Sequence, residues 1–162
     1  RKVTDLFKKV SARLYPVGRL DKDTTGLILV TNDGDLAHRM AHPGFEVEKE
    51  YIAAVEGNVK ISDIKKIEKG IELDGKFTAP CRVMLRRKGK KRTVYRVKLR
   101  EGKKRHIKRM FEAVGGRVAE LKRVKYAGLT IGDLKEGEYR ALSGREVERL
   151  FRLSLPRKRV RE

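Results

Sequence analysis

The chain has 162 residues, with 42 Lys and Arg against 22 Asp and Glu and a formal net charge of +20. That length suits one domain with its own core and excludes two large ones. The charge points to a polyanion, because neutralising phosphates with release of counterions supplies most sequence-independent affinity for nucleic acid, whereas a merely well-solvated surface has no reason to favour one sign. No apolar run approaches membrane-spanning length and the cations are spread over many elements, so a membrane surface is the weaker reading. Nothing resembles a signal peptide, and a cytoplasmic location is expected by default. Cys81 is the only cysteine, which excludes an internal disulfide and a thiolate zinc site; its apolar setting suits core packing.

In chain order, Thr4 or Asp5 caps a short helix with Leu6, Phe7 and Val10 on one face. Leu27 to Thr31 reads as a buried strand ending at the turn Asn32-Asp33-Gly34, and a helix from Asp35 to Ala41 stops near Pro43. Lys49 to Gly57 reads as a strand. Ile61, Ile64 and Ile67 fall at helical spacing, so Ser62 to Lys69 is a helix ended by Gly70. Asp74-Gly75 marks a hairpin between Ile71–Leu73 and Thr78 onward. Cys81–Arg87 and Arg92–Arg100 form a second hairpin, with Arg96, Lys98 and Arg100 on its outer face. A helix from Lys104 to Val114 ends at Gly115-Gly116. Strands at Val118–Val124 and Leu129–Ile131 follow, and Ser143 caps a last helix carrying Val147, Leu150 and Phe151. Residues 156–162 read as a basic, disordered tail. Irregular alternation of helices with hairpins predicts an α+β fold around a mixed, mostly antiparallel sheet flanked by helices. One domain spans 1–155. The chain opens at Arg1 rather than Met, and an upstream segment is expected.

Three stretches carry residues suited to chemistry. Asp21, between Gly18 and Gly26, sits at the mouth of a strand where backbone can approach a ligand; a surface turn residue is the bland alternative. Tyr51 opens a strand and is able to stack on a base, an interaction of about 1–3 kcal/mol, or simply packs at a sheet edge. In Glu101 to Phe111, Ile107, Met110, Phe111 and Val114 make a buried stripe. Arg105, Lys108 and Arg109 lie off it, either as a solvated phosphate grip or, for Lys108 above all, as a cation reaching a buried carboxylate and keeping it ionised. No His pair has metal spacing, so no metal site is read.

Taken together these motifs resemble the RsuA-type ribosomal RNA pseudouridine synthases. Gly18-Arg19-Leu20-Asp21-x-x-Thr24-x-Gly26-Leu27 is similar to the family signature with its catalytic aspartate. Thr31-Asn32-Asp33-Gly34-Asp35-Leu36-Ala37-His38-Arg39 and His42-Pro43 are similar to its continuation. Lys49-Glu50-Tyr51 resembles the active-site tyrosine motif. Glu101-Gly102-Lys103 through Val114-Gly115 resembles the third motif, with Lys108 at the position of the aspartate's salt-bridge partner. The resemblance runs from about Asp5 to Leu150 and leans to the branch that modifies large-subunit RNA. It implies a pseudouridine synthase-like fold and isomerisation of a specific uridine in ribosomal RNA, with no cofactor and no metal. Asp21, Tyr51 and Lys108 are the implied catalytic residues. Arg19, Thr24, Arg86, Arg87, Lys103, Lys104, Arg105 and Arg109 are the implied RNA contacts. The implied partner is ribosomal RNA, free or in a ribosomal particle, with the protein as a monomer.

Family members usually carry an upstream S4-like domain and a Lys-Pro-x-Gly strand, and neither lies within these 162 residues. Lys104-Arg105-His106 stands where relatives often have His-Gln or Asn-Arg, a difference expected to alter RNA contacts. The competing class is a non-catalytic RNA-binding or ribosome-assembly protein. It has no reason to gather Asp21, Tyr51 and Lys108, since a carboxylate there repels phosphate.

Overall fold

The computed structural model describes residues 3–155; the residues expected to form a basic tail lie outside them. The order is β1 (Tyr15–Val17), β2 (Thr24–Gly26), β3 (Leu29–Thr31), α1 (Gly34–Ala41), β4 (Lys49–Glu56), α2 (Ile61–Lys69), β5 (Glu72–Leu73), β6 (Lys76–Phe77), β7 (Arg82–Lys88), β8 (Thr93–Leu99), α3 (His106–Glu112), β9 (Arg117–Tyr126), β10 (Leu129–Thr130) and α4 (Gly144–Leu153). The main sheet runs β10-β9-β4-β8-β7, antiparallel throughout. β2 adds to it in parallel along β9, on the edge that β10 continues. β1 pairs β3 separately, and β5 pairs β6. The fold is α+β with a mixed, mostly antiparallel sheet, as the sequence pattern predicts.

One face of the sheet is apolar. Ala53, Val55, Tyr95, Val97, Leu99 and Leu121 meet Ile67 of α2 and Ile107, Met110 and Phe111 of α3 in one core. The other face carries ion pairs: Glu50 with Arg96 (3.7 Å) and Lys125 (3.5 Å), and Glu48 with Lys98 (3.0 Å). Arg96 and Lys98 therefore face outward as expected, but they are committed to carboxylates. A second core gathers Val17, Leu29, Leu36, Met40, Val47, Tyr126, Leu129 and Leu150 under α1 and α4. α1 is capped by Asp33, whose carboxylate accepts the Leu36 N–H at 2.9 Å. α4 carries a Ser143–Glu146 capping box.

Five expectations change. The second arm of the Asp74-Gly75 hairpin is Lys76–Phe77 rather than Thr78 onward. The first helix is a five-residue 3-10 segment, Val3–Phe7, and Val10 lies outside it and exposed. The strand expected at Leu27–Thr31 is shortened to Leu29–Thr31, and a separate strand, Thr24–Gly26, precedes it. Gly26 has φ +110°, and a Cβ there would stand 2.2 Å from the Arg123 carbonyl oxygen. The Leu27 N–H donates to that same oxygen at 2.8 Å, so the chain leaves β9 here and pairs β1 from Leu29 onward. α3 starts at His106 rather than Lys104, because Arg105 adopts φ +52° and cannot be helical. β9 continues to Tyr126 through two irregularities in its pairing with β4.

Candidate active site

The site forms where the N-terminal turn, β4, β9 and α3 meet. In the turn, the Thr24 N–H donates to the Asp21 carbonyl at 2.9 Å, closing Asp21-Lys22-Asp23-Thr24 before β2 begins. β2 is held against β9 with Gly26 opposite Arg123, and Arg123 lies opposite Tyr51 on β4. Tyr51 is thus two strand spacings, roughly 10 Å, from the strand that the Asp21 turn enters. Tyr51 is half-buried and packs on the first core.

Lys108 projects from α3 toward the same turn and is 4% exposed. Its ammonium is ion-paired with Asp23, not with Asp21. Among the described residues no ion pair holds the Asp21 side chain. The hydrogen bond from Lys108, reinforced by backbone N–H donation and by Arg105, holds the Asp23 carboxyl below the usual carboxylate range. The sequence pattern points Lys108 toward the turn but does not separate two carboxylates two residues apart in it.

Of the RNA-contact candidates, Arg19, Arg86, Arg87 and Lys104 are exposed. Lys103 is exposed and pairs with Glu101 at 2.6 Å. Arg105 is exposed and bonded to Glu112 at 3.1 Å. Arg109 is clamped to Asp74 at 2.5 Å, which ties it to the β5–β6 hairpin. Thr24 differs from its expected role. It is buried in β2 opposite Leu121, with its hydroxyl unpartnered, so it lines the interior rather than gripping a backbone at the surface.

Three contributors were not singled out by sequence reasoning. Asp23 is one. Arg123 is 2% exposed, donates from Nε to the Leu27 carbonyl at 2.7 Å, and lies over the Tyr126 ring at 4.9 Å. One of its terminal nitrogens is buried without a partner, and no ion pair to it exists among the described residues. Lys49 donates to the Val47 and Arg100 carbonyls, both at 3.1 Å, and so fixes the start of β4 to the loop that leads into α3. Burial, then the nearby Arg123, bring its pKa down to about 8. Lys49 belongs to the Lys-x-Tyr pattern, which was the available signal. Arg123 had none, because bulges break the alternation of β9. His106, buried beside Glu101 at 3.4 Å, is pushed by burial below its ordinary range, so it is neutral near pH 7. Among the described residues no group of three or more His, Cys, Asp or Glu is arranged to hold a metal ion.

Chemically, the arrangement offers a solvent-accessible carboxylate on a short turn, an aromatic ring on the adjoining sheet face and buried cations behind both. It suits nucleophilic or base chemistry on a planar, polyanion-borne group better than phosphate grip alone.

Residues 3–113 match the family described as RNA pseudouridylate synthase. The ribosomal large subunit pseudouridine synthase B of Bacillus subtilis is 43% identical over 154 residues, covering 94% of this chain and 63% of that protein. A crystal structure titled as a pseudouridylate synthase superposes with TM-score 0.76 at 35% identity, over 85% of this chain and 59% of the other. An archaeal box H/ACA Nop10–Cbf5 complex shares the fold, with TM-score 0.55 at 21% identity, over 81% and 43% of the two chains. The chain therefore spans a little under two thirds of the length of the curated relatives it matches. On these grounds it belongs to the RNA pseudouridylate synthase family.

Proposed function

We propose that the chain isomerises a specific uridine of ribosomal RNA to pseudouridine, with the carboxylate of Asp21 attacking the substrate or acting as the base of a glycal route. The observation that carries the reading is the docking of the Asp21–Thr24 turn onto buried Lys108, beside the sheet face that bears Tyr51. The likeness to a large-subunit synthase supports large-subunit RNA as the target.

Uracil C5 is out of reach inside a stacked helix, so the nucleotide is flipped out, at a cost of a few kcal/mol. The N1–C1′ bond breaks, the uracil turns, and C5 bonds to C1′. The C5 proton leaves and N1 gains one, so no atom is added or lost. Asp21, held by no ion pair among the described residues, keeps its electrons available for C1′ or for a sugar proton. Lys108 and Asp23 hold the turn at a fixed height over β2. Tyr51 stacks under the uracil and stands beside the C5 proton. Leu27 and Ile28, both half-buried, exclude water, so that the detached base is recaptured. Arg19, exposed two residues before Asp21, fills the gap left by the base or binds its phosphate.

The test is pseudouridine mapping on unmodified large- and small-subunit ribosomal RNA, incubated with wild type and with Asp21→Asn. One new pseudouridine from wild type alone is expected. None from wild type with RNA binding intact, or equal yields from both proteins, sinks the reading.

A further inference from the structure

We propose that Phe77 is a stacking platform for an unpaired RNA base next to the target uridine; this rests on the RNA-modifying reading above. The hairpin β5–β6 pairs Leu73 with Lys76 and Glu72 with Phe77. Cross-strand partners share a face, and Leu73 packs on the first core, so Phe77 is turned the opposite way. It is 72% exposed. Folding gains almost nothing from an aromatic ring held there.

The hairpin is not loose. Asp74 and Gly75 both take positive φ, 53° and 73°, the tight-turn geometry that matches strand twist. Arg109 of α3 clamps Asp74 at 2.5 Å, and the Ala79 N–H donates to Glu101 at 2.9 Å. The ring is therefore fixed relative to the helix whose neighbouring residue, Lys108, docks the Asp21 turn. α3 thus joins the two. The surface around its start is basic: Lys76, Lys103, Lys104 and Arg105 are all exposed. Four carboxylates also face this region. Asp74 is paired with Arg109, Glu101 with Lys103 and Glu112 with Arg105. Glu72 lies across from Phe77, and Lys76 and Lys104, in no ion pair among the described residues, leave the balance positive. An exposed ring inside a cationic surface matches a single-stranded ribose-phosphate chain, which offers a π-face at each base and a charge at each link.

The test uses a single-stranded oligouridylate with one internal 2-aminopurine, whose fluorescence is quenched when it stacks. Wild type should bind and quench. Phe77→Ala should bind roughly 5- to 150-fold more weakly, the range that one base–aromatic stack supplies, and lose the quench. Phe77→Trp should retain both. The salt slope should stay as in wild type, since no phosphate contact is removed, and thermal unfolding should be unchanged. No binding by wild type overturns the proposal. So does equal binding and quench by Phe77→Ala, as a protein-docking patch would give, or a loss that Trp does not recover. Pseudouridine formation is scored separately. Quenching by wild type on RNA that it never modifies sinks the synthase reading and leaves the platform; modification with Phe77→Ala binding unaltered sinks the platform alone.

Discussion

Lys108 and Arg109 are neighbours on one turn of α3, and each closes an ion pair with an aspartate on a loop, yet the two contacts differ in kind. Lys108 is buried, its side chain 5% exposed, and meets Asp23 in the turn that contains Asp21. Arg109 and Asp74 meet at the rim, with Asp74 largely in water. At the rim, water and salt compete for both partners, so the pair holds a hairpin in place and contributes little stability. Under the turn, the ammonium has given up its hydration and depends on its carboxylate. One helix thus presents a dispensable clamp on one side and an obligatory one on the other.

The sharpest test of this contrast is also the largest expected effect. Asp21→Asn or Asp21→Ala should abolish pseudouridine formation and leave RNA binding within a few-fold of wild type; substantial turnover would remove Asp21 from the mechanism. Lys108→Met should lower turnover by roughly 10²–10³-fold, the loss typical of one preorganised electrostatic group. Thermal stability should hold, because Asp23 is left in water while an apolar chain fills the buried space. Asp23→Asn should cost roughly tenfold in kcat with little change in KM, since a loosened turn misplaces Asp21; it should also lower Tm, because Lys108 stays buried without its partner. If Asp74→Asn lowers Tm as much as Asp23→Asn does, the contrast between the two sides fails. Otherwise Asp74→Asn should be indistinguishable from wild type in stability.

Lys49 gives a pH signature of smaller size. Its folded pKa, about 8, lies below its ordinary 10.5, so between these values the unfolded chain binds more protons than the folded one. Stability should rise with pH across this window, by about 3 kcal/mol at most. Below pH 8 the cost of the buried ammonium is fully present. Chemical denaturation of wild type and Lys49→Met from pH 7 to 10 should show the rise in wild type only; parallel curves would mean that Lys49 is not buried as a cation.

Legibility in the sequence followed local chemistry. The Asn32-Asp33-Gly34 turn before α1, the Ser143 cap, the isoleucines of α2, the Asp74-Gly75 turn and the alternation Tyr95, Val97, Leu99 each declare their element within a few residues, and the structure has them. The site motifs were legible as residue types at fixed spacings. What could not be read depends on partners distant in the chain. Gly26 breaks the apolar run of residues 27–30 from β2 because Arg123, nearly one hundred residues later, needs the room. Arg96 and Lys98 read as outward-facing, but their partners do not show, because Glu50 on β4 and Glu48 just before it lie about fifty residues away in the chain. Asp23 and Asp21 differ only in which of them an incoming lysine meets.

The irregular pairing of β9 has a consequence of its own. Between Glu50 and Tyr51 its register advances by one extra residue, Val124, and between Ala54 and Val55 by another, Ala119. Because of these two insertions, Val118, Leu121, Arg123 and Tyr126 share a face although their spacing is three, two and three. Strand length in β9 is therefore part of the site's specification. Deleting the extra residue Val124 would leave Arg123 and Tyr126 two apart and still on one face, against Tyr51 and Lys49. Deleting Lys122 instead would make Leu121 and Arg123 adjacent and turn them to opposite faces. A frame of one residue in a strand separates a buried guanidinium beside the candidate base site from one on the ion-paired face.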